Sequence, residues 1–138
     1  IFPFYRPPSK FYLEKTGIYR SLCFISIYLI PNKSFVILNL LQNAKDAVSE
    51  KTFTDSKGSI FLCAEKISDS IVISCTDNGC GISDDIVNTI FDPFVTYKTN
   101  GTGLGLALSK KIIEAHGGTL IVTSSDETGT VFTITLPV

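Results

Sequence analysis

The sequence has 138 residues, 44% of them hydrophobic, which suits one domain with a core of its own. Twelve basic and 13 acidic residues leave a net charge of −1, so the composition advertises no broad cationic face for nucleic acid or anionic lipid. The longest apolar stretch, Leu22 to Ile30, is interrupted by Ser26 and falls short of the ~20 residues a membrane helix needs.

Cys23, Cys63, Cys75 and Cys80 show neither C-x-x-C pairing nor the density of a secreted scaffold, and they read as reduced thiols in a cytoplasmic setting. The chain starts at Ile1 and has no methionine, which reads as a piece of a longer protein or a sequence lacking modified residues.

Residues 1–20 are aromatic and proline-bearing (Phe2-Pro3-Phe4-Tyr5-Arg6-Pro7-Pro8) and read as a lead-in or linker. Residues 21–30 are apolar on both alternate rows, consistent with a doubly buried strand or a buried helix; the strand is preferred. Residues 1–33 are therefore assigned as the N-terminal segment of the same domain that occupies 34–138.

From Ser34 to Lys51 the pattern is helical. Val36, Ile37, Leu40, Leu41, Ala44, Ala47 and Val48 recur at three- and four-residue spacing, and Ser34 is placed as the cap. Ser59–Glu65 and Ser70–Thr76 alternate as strands around a Ser68-Asp69 turn. A short helix follows over Asp84–Ile90 with Ser83 as cap, and then an irregular stretch from Phe91 to Thr102. Leu104 to His116 is a second strong helix, with Leu104, Leu108, Ile112 and Ala115 on its apolar face and Gly117-Gly118 ending it. Thr119–Ser125 and Thr130–Leu136 form a closing hairpin. This order predicts an α+β domain, a two-layer sandwich with helices on one face of a mixed, mostly antiparallel sheet.

Three segments carry candidate chemistry. Gly101-Thr102-Gly103-Leu104-Gly105-Leu106 places three alternate glycines before a helix start, where backbone N–H groups and the helix dipole favour an anion. Glycines also serve as caps and turns. The spacing matches neither the dinucleotide fingerprint nor a phosphate-binding G-x-x-x-x-G-K-[ST] loop. Asp77 continues the apolar row of Ile71, Ile73 and Cys75, so its carboxylate needs a partner; Asn78-Gly79-Cys80-Gly81-Ile82 then offers bare backbone against which a flat ring could lie. The same residues also suit a tight turn in which Asp77 bonds its own loop. Asn39 and Asn43 project from one helix face, with Asp46 on the same edge, an arrangement that suits a hard cation or simply a polar helix edge.

Together these segments resemble the ATP-binding catalytic domain of sensor histidine kinases, in the superfamily shared with gyrase, Hsp90 and MutL. Asn39-Leu40-Leu41-Gln42-Asn43-Ala44 is similar to the N box and Asp77-Asn78-Gly79-Cys80-Gly81-Ile82 to the first glycine box. Ile90-Phe91-Asp92-Pro93-Phe94 is similar to the F box and Gly101–Leu106 to the second glycine box, all in the family's order across residues 34–138. The resemblance implies the Bergerat-type fold, ATP and Mg2+ as ligands, and a γ-phosphoryl group passed to a histidine on a separate helical dimerisation domain, with a response regulator downstream.

By the same resemblance Asp77 accepts a hydrogen bond from the adenine amino group, and Gly79, Gly81 and Ile82 border the base. Asn43 ligates magnesium with Asp46 close by, Asn39 lies beside the phosphates and Lys98 neutralises them. Gly101, Thr102, Gly103, Leu104, Gly105 and Leu106 present backbone to the phosphates, while Phe91 and Phe94 anchor the lid. Asn39, Asn43 and Lys98 are the expected catalytic residues. Thr96-Tyr97-Lys98 departs from the two threonines common before the lid lysine. Asn39 stands where gyrase-like relatives have a water-activating glutamate, which favours transfer over hydrolysis. The isolated chain is expected to be monomeric and not to phosphorylate His116, its single histidine. Alternatives are a regulatory nucleotide-binding module without transfer and a serine kinase of the same superfamily, whose members generally lack an F box.

Overall fold

The computed structural model describes residues 11–12, 33–54, 57–96, 98, 101–125 and 128–138. The preferred strand over 21–30 and Cys23 lie outside them. Strand β1 is Phe11–Tyr12, helix α1 Lys33–Glu50, β2 Ile60–Ile67, β3 Ser70–Asp77, α2 Asp84–Val87, α3 Gly105–Ala115, β4 Thr119–Ser125 and β5 Gly129–Pro137. The described strands form one sheet in the order β1-β2-β3-β5-β4. Every neighbouring pair is antiparallel, so the expected parallel component of a mixed sheet is not found among them.

Alternation decides which face of the sheet carries the helices. Ile73, Cys75 and Asp77 of β3 are buried, and register places them beside Ile134, Phe132 and Thr130 of β5, all buried too. Leu120 on β4 continues the apolar layer, against which Val36, Ile37, Leu40 and Ala44 of α1 and Ile113 of α3 close the core. Period 2 on the strands and period 3.6 on the helices thus meet on one surface, the basis of a two-layer domain. None of the described helices is long and apolar enough to cross a membrane.

Several local expectations shift. Helix α1 includes Ser34 as its second residue, so Ser34 is not the cap. Helix α2 is a single turn ending at Val87; Ser83 caps it through its backbone C=O, which receives the N–H groups of Ile86 and Val87 at 3.0 Å each, and its side chain makes no capping bond. Helix α3 is rotated from the expected face. Leu104 and Leu108 are 43% and 46% exposed, whereas Ala107, Ser109 and Ile113 are buried. The cause is polar: Gly105 and Ser109, four apart, turn toward Asn39 of α1, whose Nδ2 donates to Ser109 Oγ at 3.0 Å. At its far end α3 closes with the two bonds of a Schellman motif, Gly118 N–H to Ile113 C=O at 3.0 Å and Gly117 N–H to Glu114 C=O at 2.9 Å.

Candidate functional site

Helix α1 is the spine of the site. Asn39, Asn43, Ala47 and Lys51, at four-residue steps, follow one stripe that continues just past the helix end and spans ~18 Å. Its four residues meet three segments, the last two sharing the loop that follows Asp77. Asn39 meets the start of α3, Asn43 the lid lysine, and the Ala47 C=O accepts the Cys80 N–H at 3.1 Å. Lys51 Nζ donates to the Gly79 C=O at 3.1 Å. The stripe that begins with Asn39 and Asn43 therefore organises three loops.

An open cleft of about 200 Å³ lies beside the first half of this stripe. Its walls include Asn39, Asn43, Lys98, Gly101, Thr102, Gly103, Gly105 and Leu106, so most of the phosphate-side residues expected from the sequence do converge. Among the described residues, Gln42, Ile90, Val95 and Thr96 also line it. Leu104 does not line it; that residue caps α3 with its side chain largely in solvent. Two of the glycines sit where a Cβ would crowd a neighbour. Gly103 has φ +66°, and a Cβ there would come within 2.6 Å of Phe94 Cα; a Cβ on Gly105 would lie 2.5 Å from Asn39 Oδ1.

The lid is pinned at one phenylalanine, not two. Phe91 packs on the core, edge-on to Phe132 with ring centroids 6.4 Å apart, and the Lys110 ammonium lies 5.0 Å from its ring centroid. Phe94 is 75% exposed and has φ +69°. Its backbone, not its ring, holds the lid: its N–H donates to the Gly103 C=O at 2.9 Å. The anchoring role expected for the Phe94 side chain is therefore not what the structure has.

Charge in the cleft converges on Lys98. Its ammonium donates to Asn43 Oδ1 at 2.8 Å and to Asp46 Oδ2 at 2.6 Å, while Gln42 Nε2 donates to Asp46 Oδ1 at 2.7 Å. The Lys98 hydrogen bond, foremost, holds the Asp46 carboxyl below its ordinary pKa. Asp46 thus reaches the cleft through Lys98.

The expected base-side residues, Asp77, Gly79, Gly81 and Ile82, do not line this cleft; Gly79 and Cys80 of that loop lie against Ala47, one turn further along α1. Asp77 is 3% exposed, and burial pushes its pKa up, opposed by backbone N–H donors from Gly79 and Thr130 and by the Lys51 charge. The Gly79 bond, 2.8 Å to Asp77 Oδ1, is the turn geometry that the Asp-Asn-Gly sequence allowed. Gly81 has φ +74°, and the loop ends where Ile82 N–H donates to Ser124 Oγ at 2.8 Å. Cys75 beside it is pushed up to about 12 by burial and by the Asp77 charge, an inert core thiol. Cys75 and Cys80 are in no disulfide.

Ser124 and Thr130 escaped the sequence reading. Thr130 is buried, and its Oγ1 lies 2.9 Å from Ser124 Oγ, so Asp77, Thr130 and Ser124 form a polar row across three strands. The available signal was register: Thr130 heads the same alternate row as Phe132, Ile134 and Leu136. Lys51 and Ser109 were also missed, though each lies at an i+4 step from a residue already singled out.

The donor set suits the ligands that the four boxes imply. Asn43 Oδ1 already faces a cation, the Lys98 ammonium, and suits a hard metal that takes few protein oxygens. Gly105 lets the Asn39 amide pack against the start of α3, where a Cβ would lie 2.5 Å from its Oδ1, and the free N–H groups of a helix start suit phosphate. Residues and ligands fit.

A family model described as "Histidine kinase-, DNA gyrase B-, and HSP90-like ATPase" matches residues 34–138. Signal transduction histidine-protein kinase AtoS of Escherichia coli is 47% identical over 104 residues, covering 75% of this chain and 16% of that protein. The catalytic domain of histidine kinase ThkA superposes with a TM-score of 0.63 at 34% identity, covering 77% of this chain and 68% of that one. Full-length ShkA in complex with AMPPNP gives 0.61 at 32% identity, covering 75% and 20%. The chain spans 15–22% of the length of the curated relatives first matched.

Proposed function

Because the chain belongs to the family of histidine kinase-, DNA gyrase B-, and HSP90-like ATPases, we propose that it binds ATP with magnesium and supplies the γ-phosphoryl group to a histidine on a separate helical dimerisation domain. The coarser statement, an ATP-binding domain of the histidine kinase type, follows from the family and from relatives that are histidine kinases. The observation that carries the finer reading is the convergence of Asn43, Lys98 and the start of α3 on one cleft.

In this reading Asn43 Oδ1 is the protein's metal ligand, and α3 turns its first N–H groups toward the phosphates. Magnesium, when bound, neutralises phosphate charge. Lys98 adds a second positive charge on the lid, so the protein's contribution is chiefly positioning and charge compensation. Asp77, kept in place by the Gly79 and Thr130 N–H groups, accepts from the exocyclic amino group of adenine, while Gly79, Gly81 and Ile82 frame the base. Asn39 carries no basic group with which to activate water, and its amide is committed to Ser109.

His116 is not the acceptor. It lies at the opposite end of α3, ~16 Å of helix from the cleft, with Nδ1 2.7 Å from the Ile112 C=O. The acceptor belongs to a helical domain beyond this chain, as the response regulator and a cytoplasmic location do to the whole protein. Titration with a fluorescent ATP analogue should show magnesium-dependent binding. Labelled ATP should give no phosphohistidine on the chain alone but should label an added histidine-bearing helical domain; saturable binding without any transfer to that domain would leave a regulatory module instead.

A further inference from the structure

The lid lysine rests on the oxygen that the proposed function reserves for a metal. Lys98 Nζ lies 2.8 Å from Asn43 Oδ1 and 2.6 Å from Asp46 Oδ2, with partial exposure of both charged side chains, 25% and 31%. Asp46 is itself oriented by Gln42, one turn earlier on α1, so each of its oxygens has a donor. The backbone on either side reinforces the arrangement: Lys98 N–H donates to Thr96 Oγ1 at 3.1 Å, and Gly101 N–H donates to the Lys98 C=O at 3.0 Å. Asn43 Oδ1 projects into the cleft, yet its present occupant is an ammonium.

We propose that Asp46 is a positioning residue that acts through Lys98, parking the lid lysine on the Asn43 carbonyl until metal-bound nucleotide displaces it. An ammonium and a divalent cation repel each other and cannot share that oxygen. Phosphate oxygens offer Lys98 more negative charge than one carboxylate does, so the lysine transfers from Asp46 to the nucleotide as the metal takes Asn43. Asp46 thus stabilises the nucleotide-free lid and opposes binding, the reverse of a ligand contact. This rests on the ATP-magnesium reading of the cleft, which it deepens.

The test is a double-mutant cycle of Asp46→Asn and Lys98→Met in this chain, read by thermal unfolding and by hydrogen exchange of the lid segment. The two substitutions should be coupled without nucleotide and uncoupled at saturating ATP and magnesium. Asp46→Asn should bind the magnesium–nucleotide roughly two- to fivefold more tightly, the scale of a partly exposed ion pair, and lose that gain once Lys98 is Met. Weaker binding by Asp46→Asn in both backgrounds would make Asp46 a cofactor contact and overturn the proposal, as would absence of coupling in the nucleotide-free chain. A helix-stabilising role alone would move the unfolding temperature equally with and without nucleotide, and so also refute it. Coupling without any nucleotide binding overturns the ATP reading and the release step together, whereas binding without coupling overturns only the parking.

Discussion

Asp77 is a buried carboxylate on which the fold and the proposed base site both draw. Ionising it inside the sheet is harder than in the unfolded chain, where its pKa is about 3.9, because burial outweighs its two N–H donors and the Lys51 charge. With the folded-state pKa raised, the native chain holds the proton more tightly. Stability should therefore fall as pH rises from about 4 through that raised value. Thermal scans of Asp77→Asn should be flatter over this window, while its ATP affinity drops by roughly tenfold or more, the cost of losing a charge-assisted acceptor. Asp46 has the opposite sign: its pKa is lowered, chiefly by the Lys98 bond, so its contribution is present above the unfolded value and disappears as pH falls through the folded one. The two glycines that shape the cleft should also separate. Gly103→Ala adds a Cβ at positive φ against Phe94 backbone and should destabilise by ~1–2 kcal/mol in urea unfolding. Gly105→Ala meets only the tip of the Asn39 side chain, so its unfolding free energy should change by less than ~1 kcal/mol while Asn39 is pushed off Ser109.

At the scale of elements, the docking of α3 on α1 decides whether the cleft exists. Hydrophobic periodicity alone would have turned Leu104 and Leu108 inward; the hydrogen bond between Asn39 and fully buried Ser109 fixes a different rotation, placing Gly105 and Leu106 on the cleft. Ser109→Ala removes that bond and leaves a half-buried amide short of a partner, at a cost of about 1 kcal/mol in denaturant unfolding. Nucleotide affinity should fall with it, since the start of α3 and Asn39 share this contact. The closing hairpin plays the matching part on the base side, because Ser124 on β4 holds the end of the Asp77–Ile82 segment while Thr130 on β5 holds its start.

Across the whole molecule, core and site are continuous. The helix face of the sheet buries Ile73, Cys75, Phe132 and Ile134, and the same alternate rows end in Asp77 and Thr130. Weakening the core should therefore loosen the site. Ile113 is fully buried between α3 and the sheet. Ile113→Ala should cost about 2–5 kcal/mol in urea unfolding, and residual nucleotide binding should track the folded fraction rather than vanish outright.

Four boxes in order, the two long helices and both hairpins were legible in the sequence, because periodicity and turn chemistry are local and each glycine box lies within six residues. Asn39 and Asn43 could be placed on one face from helix geometry alone. Which cation faces Asn43 could not, since Lys98 lies 55 residues away and its reach depends on how the lid folds back. Ser124 and Thr130 remained hidden for a similar reason: a hydroxyl near a strand end is unremarkable until register sets it beside Asp77. The exposure of Phe94 and the rotation of α3 were likewise set by tertiary hydrogen bonds that override apolar pattern. Local pattern was enough to place the domain in its family and to name the residues expected at its cleft. Only the tertiary structure decided their partners, because a salt bridge or a cross-strand hydrogen bond depends on distances that sequence separation does not encode.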